Sequence, residues 1–465
     1  MPPTPHDARA SLPLKDHVLT FVGAFSIRPR ELARLKSAPE WRPWALSDAL
    51  PAEACAFMRA QSVPTFHALM FDAEAQPEVT RFERRFQPGA LSLQTVPLGS
   101  KVPAVAFSVV SARVYAFSKK MGHMALFAVE VRLAGPSPTL GALTLLGAHL
   151  RELSTRVSNE VGATLTVEDL FEKTILPDVT LRHEDDPTRD PLEASRLKTF
   201  VVADLGAAQD PETLRELLYD VASLVPPGSA GGDGVFTPTA HYLEAVVSPA
   251  VRPFRNWQAV TFLDTFAAVG DGLLERRTSW TESYLAIYIF NLYVKFRCHQ
   301  LTADIYDTAS RNRDAAVLFL SRFALERVST SFLPSLLHDD LRRGLELRRE
   351  LKALNRHIES LSRLVTEDGQ TRQNALLALV SVFGAAEGIP AILDAIPEVE
   401  DAVGLHGAMF WVSVVAAALA LGALVFWFLF PGHARHVSRS LRDARRRRHA
   451  RRKVALARRN RPPAA

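Results

Sequence analysis

Met409 to Phe430 reads MFWVSVVAAALALGALVFWFLF, and this stretch decides how the rest of the chain is read. It carries no charge and only Gly422 to weaken a helix. Twenty-two residues at the helical rise give about 33 Å, the length of a bilayer's hydrocarbon core. Trp411 and Trp427 stand near its ends, where amphipathic rings favour an interface. The residues that follow, 431–465, hold 13 Lys and Arg against one acid, Asp443. The net charge of +5 is therefore +12 in this tail and 5 − 12 = −7 in residues 1–430. A mildly acidic body argues against specific nucleic-acid binding, and the tail reads as an anchor to anionic headgroups or a local address. The same basic run after the apolar stretch predicts a C-terminus on the cytoplasmic side.

No convincing signal sequence opens the chain, so both termini are expected in the cytoplasm, which demands an even number of crossings. The second candidate is residues 374–396, NALLALVSVFGAAEGIPAILDAI, interrupted by Glu387, Pro390 and Asp394. Asn374, Ala378, Ser381, Ala385 and Gly388 step by 4, 3, 4 and 3, a stripe of small and polar residues that suits either close helix packing or a pore lining. The connecting segment carries Asp394, Glu398, Glu400 and Asp401 without a Lys or Arg. Around a symmetric oligomer these carboxylates would form an acidic ring that concentrates cations; alone they are a solvated turn. Localisation is accordingly expected at the inner membrane, multi-pass.

The sequence divides into an α/β domain over 1–277, a helical stalk over 278–373, a first span over 374–396, an acidic external loop over 397–407, a second span over 408–430 and a basic tail over 431–465. Strands are expected at His17–Ile27, Val102–Phe117, Met124–Leu133, Lys198–Ala203, Leu243–Val247 and Gln258–Val269, with helices at Leu140–Arg156 and Pro211–Val225. Trp280–Asp307 reads as one apolar-rich helix. Asn312–Val365 reads as a long helical run with breaks near Pro334 and Gly344. Leu347, Leu351, Leu354, Ile358, Leu361 and Val365 form a heptad seam for self-association or for packing on the preceding helix. Helical from Pro334 to Leu393, this piece would reach roughly 90 Å.

Catalytic spacing is missing. There is no nucleophile elbow, Walker loop or His-Glu-x-x-His, and the Gly228–Gly234 loop lacks the lysine that cradles phosphate. Two cysteines, Cys55 and Cys298, give no disulfide framework and no multi-cysteine metal site. The patch His183-Glu184-Asp185-Asp186 reads as an exposed loop, and His338-Asp339-Asp340 as a solvated helix face. An enzyme is not expected.

A large α/β domain, a long helix, two apolar spans around an acidic loop and a basic end together resemble the CorA-like family of divalent metal ion transporters. The likeness is architectural and strongest over 280–430. It implies a funnel-shaped homo-oligomer, a pentamer in that family, whose first span lines the pore. Asn374 to Gly388 would then face the axis, and the acidic loop would sit at the outer mouth. The family's Gly-Met-Asn signature is replaced by Gly388-Ile389-Pro390, which leaves Glu387 as the polar group at a similar depth for selectivity. The function implied is a channel for divalent cations such as Mg²⁺, with the cation as permeant or regulator and gating by the cytosolic domain. Two alternatives stand beside it: an effector of prokaryotic defence on the same plan, opened by a nucleotide second messenger, and a tail-anchored scaffold without a pore.

Overall fold

The computed structural model describes residues 9–360, apart from 73–78, 98–102, 118–123, 160, 178, 180–195, 228–236, 263–264 and 305–308. The strands are β1 Asp16–Ser26, β2 Arg42–Pro43, β3 Val79–Arg85, β4 Ser92–Thr95, β5 Ala106–Phe117, β6 Met124–Leu133, β7 Arg156–Asn159, β8 Thr164–Thr166, β9 Lys198–Asp204, β10 Trp257–Phe262 and β11 Thr265–Gly270. The helices used below are α1 Pro29–Ser37, α2 Ala52–Gln61, α3 Pro64–Phe71, α4 Leu140–Leu150, α5 Pro211–Ser223, α6 Ala240–Val247, α7 Leu285–Asp304, α8 Ala309–Phe323 and α9 Phe332–Gly344. A further helix covers 347–360.

All strands join one mixed sheet in the order β10-β11-β9-β1-β6-β5-β4-β7-β8, with β3 also on β5 and β2 on β3. β1 is antiparallel to both β6 and β9, and β11 lies parallel to β9. Both faces of the sheet are covered, and the period of two along each strand decides which core a side chain enters. Along β1, Val18 and Val22 enter one core while Leu19, Phe21 and Phe25 enter the other. β9 divides in the same way, Phe200 and Val202 against Val201 and Ala203. The second core is closed by α1, α4 and α5 through Leu35, Leu143, Leu146, Leu214 and Leu218. The first is closed by α3, α7, α8 and α9.

α7 is the apolar centre of the first core. Tyr288, Ile289, Phe290, Leu292 and Tyr293 are all buried. Tyr293 stacks on Phe117 at 3.9 Å between ring centroids, and Tyr288 donates its hydroxyl to the Thr199 carbonyl at 3.2 Å. Each such ring contributes on the order of 1.5–3 kcal/mol by burial alone.

Two charge clusters pin the segment leading into α7. Arg113 on β5 donates Nε to Glu83 at 2.9 Å and grips Glu282 with Nη1 and Nη2 at 2.9 and 2.7 Å. Its guanidinium also lies 5.1 Å from the Trp44 ring. Burial works against that charge, but Glu282 and Glu83 hold the guanidinium above its ordinary range. Arg277 donates to Asp16 at 2.8 Å and Glu130 at 2.7 Å.

The fold differs from the CorA-like funnel expected above. The described chain is an α/β fold with a mixed sheet. No helix among the described residues is long and apolar enough to cross a membrane. The plan of two crossings, and with it a multi-pass inner-membrane location with both termini cytoplasmic, is corrected on that finding. The physical reason is visible in α7, an apolar-rich helix of 20 residues: its apolar residues are spent on the sheet and on neighbouring helices. Residues 374–396 and 408–430, read as spans, lie outside the described residues, as do the acidic loop and the basic tail.

Smaller readings also change. Leu243–Val247, expected as a strand, belongs to α6, whose N-cap Thr239 accepts from the Tyr242 amide at 3.2 Å. Gln258–Val269 is two antiparallel strands, with Phe262 opposite Thr265. The helix expected over Leu140–Arg156 stops at Leu150, and Arg156 opens β7. The long helical run is interrupted at 324–331 and again at 345–346.

Candidate functional site

The site is built around the second of these interruptions. α9 packs on α7 and on β10, and Gly344 is the point of closest approach: a Cβ there would lie 2.3 Å from the Thr261 carbonyl oxygen. One residue further, Glu346 takes a left-handed backbone, φ 56°. That conformation costs a non-glycine residue about 1 kcal/mol or more. Glu346 ends one helix and starts the next: its amide donates to the Arg343 carbonyl at 3.0 Å, and its own carbonyl accepts from Arg349 at 2.9 Å.

The loop before α9 is tied down by hydroxyl groups. The Thr330 amide and the Ser329 hydroxyl both donate to the Gln61 carbonyl at the end of α2, each at 2.7 Å. Ser331 donates its amide to Ser329 Oγ at 3.1 Å, and the Ser335 hydroxyl donates to the Ser329 carbonyl at 2.8 Å. Ser331 is the N-cap of α9, yet its side chain makes no hydrogen bond to that helix.

Between this loop, α9 and the helix over 347–360 lies an open cavity of about 750 Å³. Three arginines line it, Arg327, Arg342 and Arg348, against two carboxylates, Glu326 and Asp339. Ser329, Thr330, Ser331 and Ser335 supply hydroxyls, and Phe332, Leu336 and Leu351 supply apolar surface. The sequence neighbours of two of these arginines are committed elsewhere. Arg343 pairs with Asp340 and also donates to the Pro249 carbonyl, and Arg349 pairs with Glu346 at 3.0 Å. Arg327, Arg342 and Arg348 form no ion pair among the described residues. Arg342 is half-buried; burial first, then the like charge of Arg348, holds its guanidinium below the ordinary range.

His338 forms part of the cavity wall. Its Nδ1 accepts from the Asn291 amide at 3.0 Å and its Nε2 faces the Leu325 carbonyl at 3.3 Å, an assignment that fits the neutral ring. Burial pushes its pKa down to about 4. Asp340, two residues on, is buried on the other side of α9 and accepts from the Thr261 hydroxyl at 2.6 Å. Burial raises its carboxyl to about 6. The sequence His338-Asp339-Asp340 is therefore not a solvated face: only Asp339 is exposed.

The sequence-derived site residues are not brought together here. Asn374, Ala378, Ser381, Ala385, Glu387, Gly388, Asp394, Glu398, Glu400 and Asp401 all lie outside the described residues. Among the described residues, no group of three or more His, Cys, Asp or Glu is placed to hold a metal ion. Of the cavity lining, sequence reasoning named only His338 and Asp339, as a solvated face, and Leu351, as part of the seam. The available signal was Ser329-Thr330-Ser331 three residues before Pro334, a helix-start pattern.

Comparison with known protein families, with curated proteins and with solved structures finds no match for this chain.

Proposed function

We propose that the described body is the sensing part of an effector switched by a small anionic ligand of nucleotide type. The observation that supports this reading is the cavity between α9 and the helix over 347–360, where three arginines form no ion pair among the described residues. Guanidinium groups bind phosphate, hydroxyls add neutral donors to its oxygens, and the three arginines here outnumber the two carboxylates, Glu326 and Asp339, that share the lining. The apolar rim at Phe332, Leu336 and Leu351 suits a ligand with an organic part as well as charge. At about 750 Å³ the cavity lies within the range of small-ligand sites. Attraction to an anion comes from this local cluster of arginines and weakens with salt.

Isothermal titration of the full chain with mono- and dinucleotides tests the reading. Saturable binding that weakens as salt rises is expected. Absence of binding to wild-type protein by every nucleotide tried, at low salt, overturns it.

A further inference from the structure

The cavity is lined from both sides of the interruption at 345–346. Arg342 precedes it on α9; Arg348 and Leu351 follow it. In one continuous helix, six residues turn about 600°, which leaves the two side chains roughly 120° apart around the axis. The break alone lets Arg342 and Arg348 line the same space. The two like charges then face a common volume with no carboxylate bound to either, while Arg343 and Arg349 are held away by Asp340 and Glu346.

The break is also held in a costly form. Glu346 keeps a left-handed backbone, and Gly344 is pressed against Thr261 with no room for a side chain. Upstream, α9 is fixed to the sheet through Asp340 and Thr261. Downstream, Leu347, Leu354 and Ile358 are buried in the first core, so the turn at 345–346 is a short link between two packed helices.

Resting on the sensing role proposed above, we infer that a phosphate-bearing ligand is gripped by Arg342 and Arg348 together, its anion bridging the break and fixing the angle between α9 and the following helix. Arg327, on the loop side, strengthens binding without crossing the break.

The test uses the full chain with ADP and with inorganic pyrophosphate as probes, read by calorimetry and by amide hydrogen exchange over 345–352. Both probes are expected to bind wild type and to slow exchange there. Each of Arg327→Gln, Arg342→Gln and Arg348→Gln is expected to weaken binding about 10-fold, the loss of a charge-assisted contact. At saturation, Arg327→Gln keeps the slowed exchange, whereas Arg342→Gln and Arg348→Gln lose it. Circular dichroism on each variant checks that the fold is intact. Binding without slowed exchange in wild type, or Arg342→Gln and Arg348→Gln variants that bind and slow exchange as wild type does, overturns the bridge and leaves the sensing role standing. Failure of both probes to bind wild type removes the bridge and these anions as ligands together.

Discussion

Arg113 and Arg342 carry the same guanidinium into opposite circumstances. Arg113 is buried between Glu83 and Glu282, with its donors matched and Trp44 beside it. Arg342 is half-buried and forms no ion pair among the described residues; the like charge of Arg348 acts on it against Glu326 and Asp339. A matched buried charge fixes the architecture, because removing either partner strands the other in a low dielectric. An unmatched one contributes little to folding and is free to meet something from solution. The first kind belongs to the body's frame, the second to its use.

The sharpest way to break this contrast is to remove the matched cation. Arg113→Ala is expected to cost about 3–5 kcal/mol, because two carboxylates remain buried. Chemical denaturation measures it. Replacing all three, Arg113→Met with Glu83→Leu and Glu282→Leu, should recover most of that loss. A triple variant no better than the single one would show that packing, and not stranded charge, sets the cost.

Asp340 gives the next largest effect, read through pH. Its carboxyl is raised from 3.8 to about 6 by burial, so the folded state holds this proton more tightly than the unfolded chain. Its contribution therefore favours folding below about pH 4 and is lost as pH rises through about 6. The difference is roughly 3 kcal/mol at 1.36 kcal/mol per pKa unit. Compared with Asp340→Asn, wild type should lose more stability between pH 4 and pH 7. Parallel stability profiles for the two proteins would contradict the assignment.

Gly344→Ala should destabilise by about 1–3 kcal/mol, since its methyl group meets the Thr261 backbone. Glu346→Gly should stabilise by up to about 1 kcal/mol by relieving the left-handed backbone, partly offset by a looser unfolded chain. Thermal melts report both, and a destabilising Glu346→Gly would mean its pair with Arg349 outweighs the strain. At the small end, Arg342→Gln and Arg348→Gln should leave stability within about 0.5 kcal/mol of wild type. A larger loss would place them with Arg113 in the frame.

The same contrast explains what the sequence disclosed. The core strands were legible because both faces of the sheet are covered: β1, β6 and β9 are near-continuous apolar runs, and such runs have few other uses in a chain of this composition. Leu243–Val247 misled because its β-branched residues look strand-like while the cap that makes it a helix, Thr239, lies outside the run. His338 and Asp340 misled because polar residues in a helix are solvated by default; what buries them, Asn291 and Thr261, is 47 and 79 residues distant. The cavity was illegible for a geometric reason. Each of Arg342-Arg343 and Arg348-Arg349 reads as an ordinary charged flank of a leucine seam, and periodicity cannot say which arginine of a doublet faces inward once the helix is interrupted between them. The apolar runs at 374–396 and 408–430, which organised the reading of the whole chain, lie outside the described residues.

The leucine seam itself has a consequence for assembly. From Leu347 to Ile358 its apolar stripe is already occupied by the body's own interior. A second copy seeking that stripe would have to compete with the protein's own folding, so any partner recruited along this helix must meet the polar side that carries Lys352, Asn355, Arg356 and Glu359. A zipper-like sequence is here a hem stitched to its own cloth, and the surface left for company is hydrophilic.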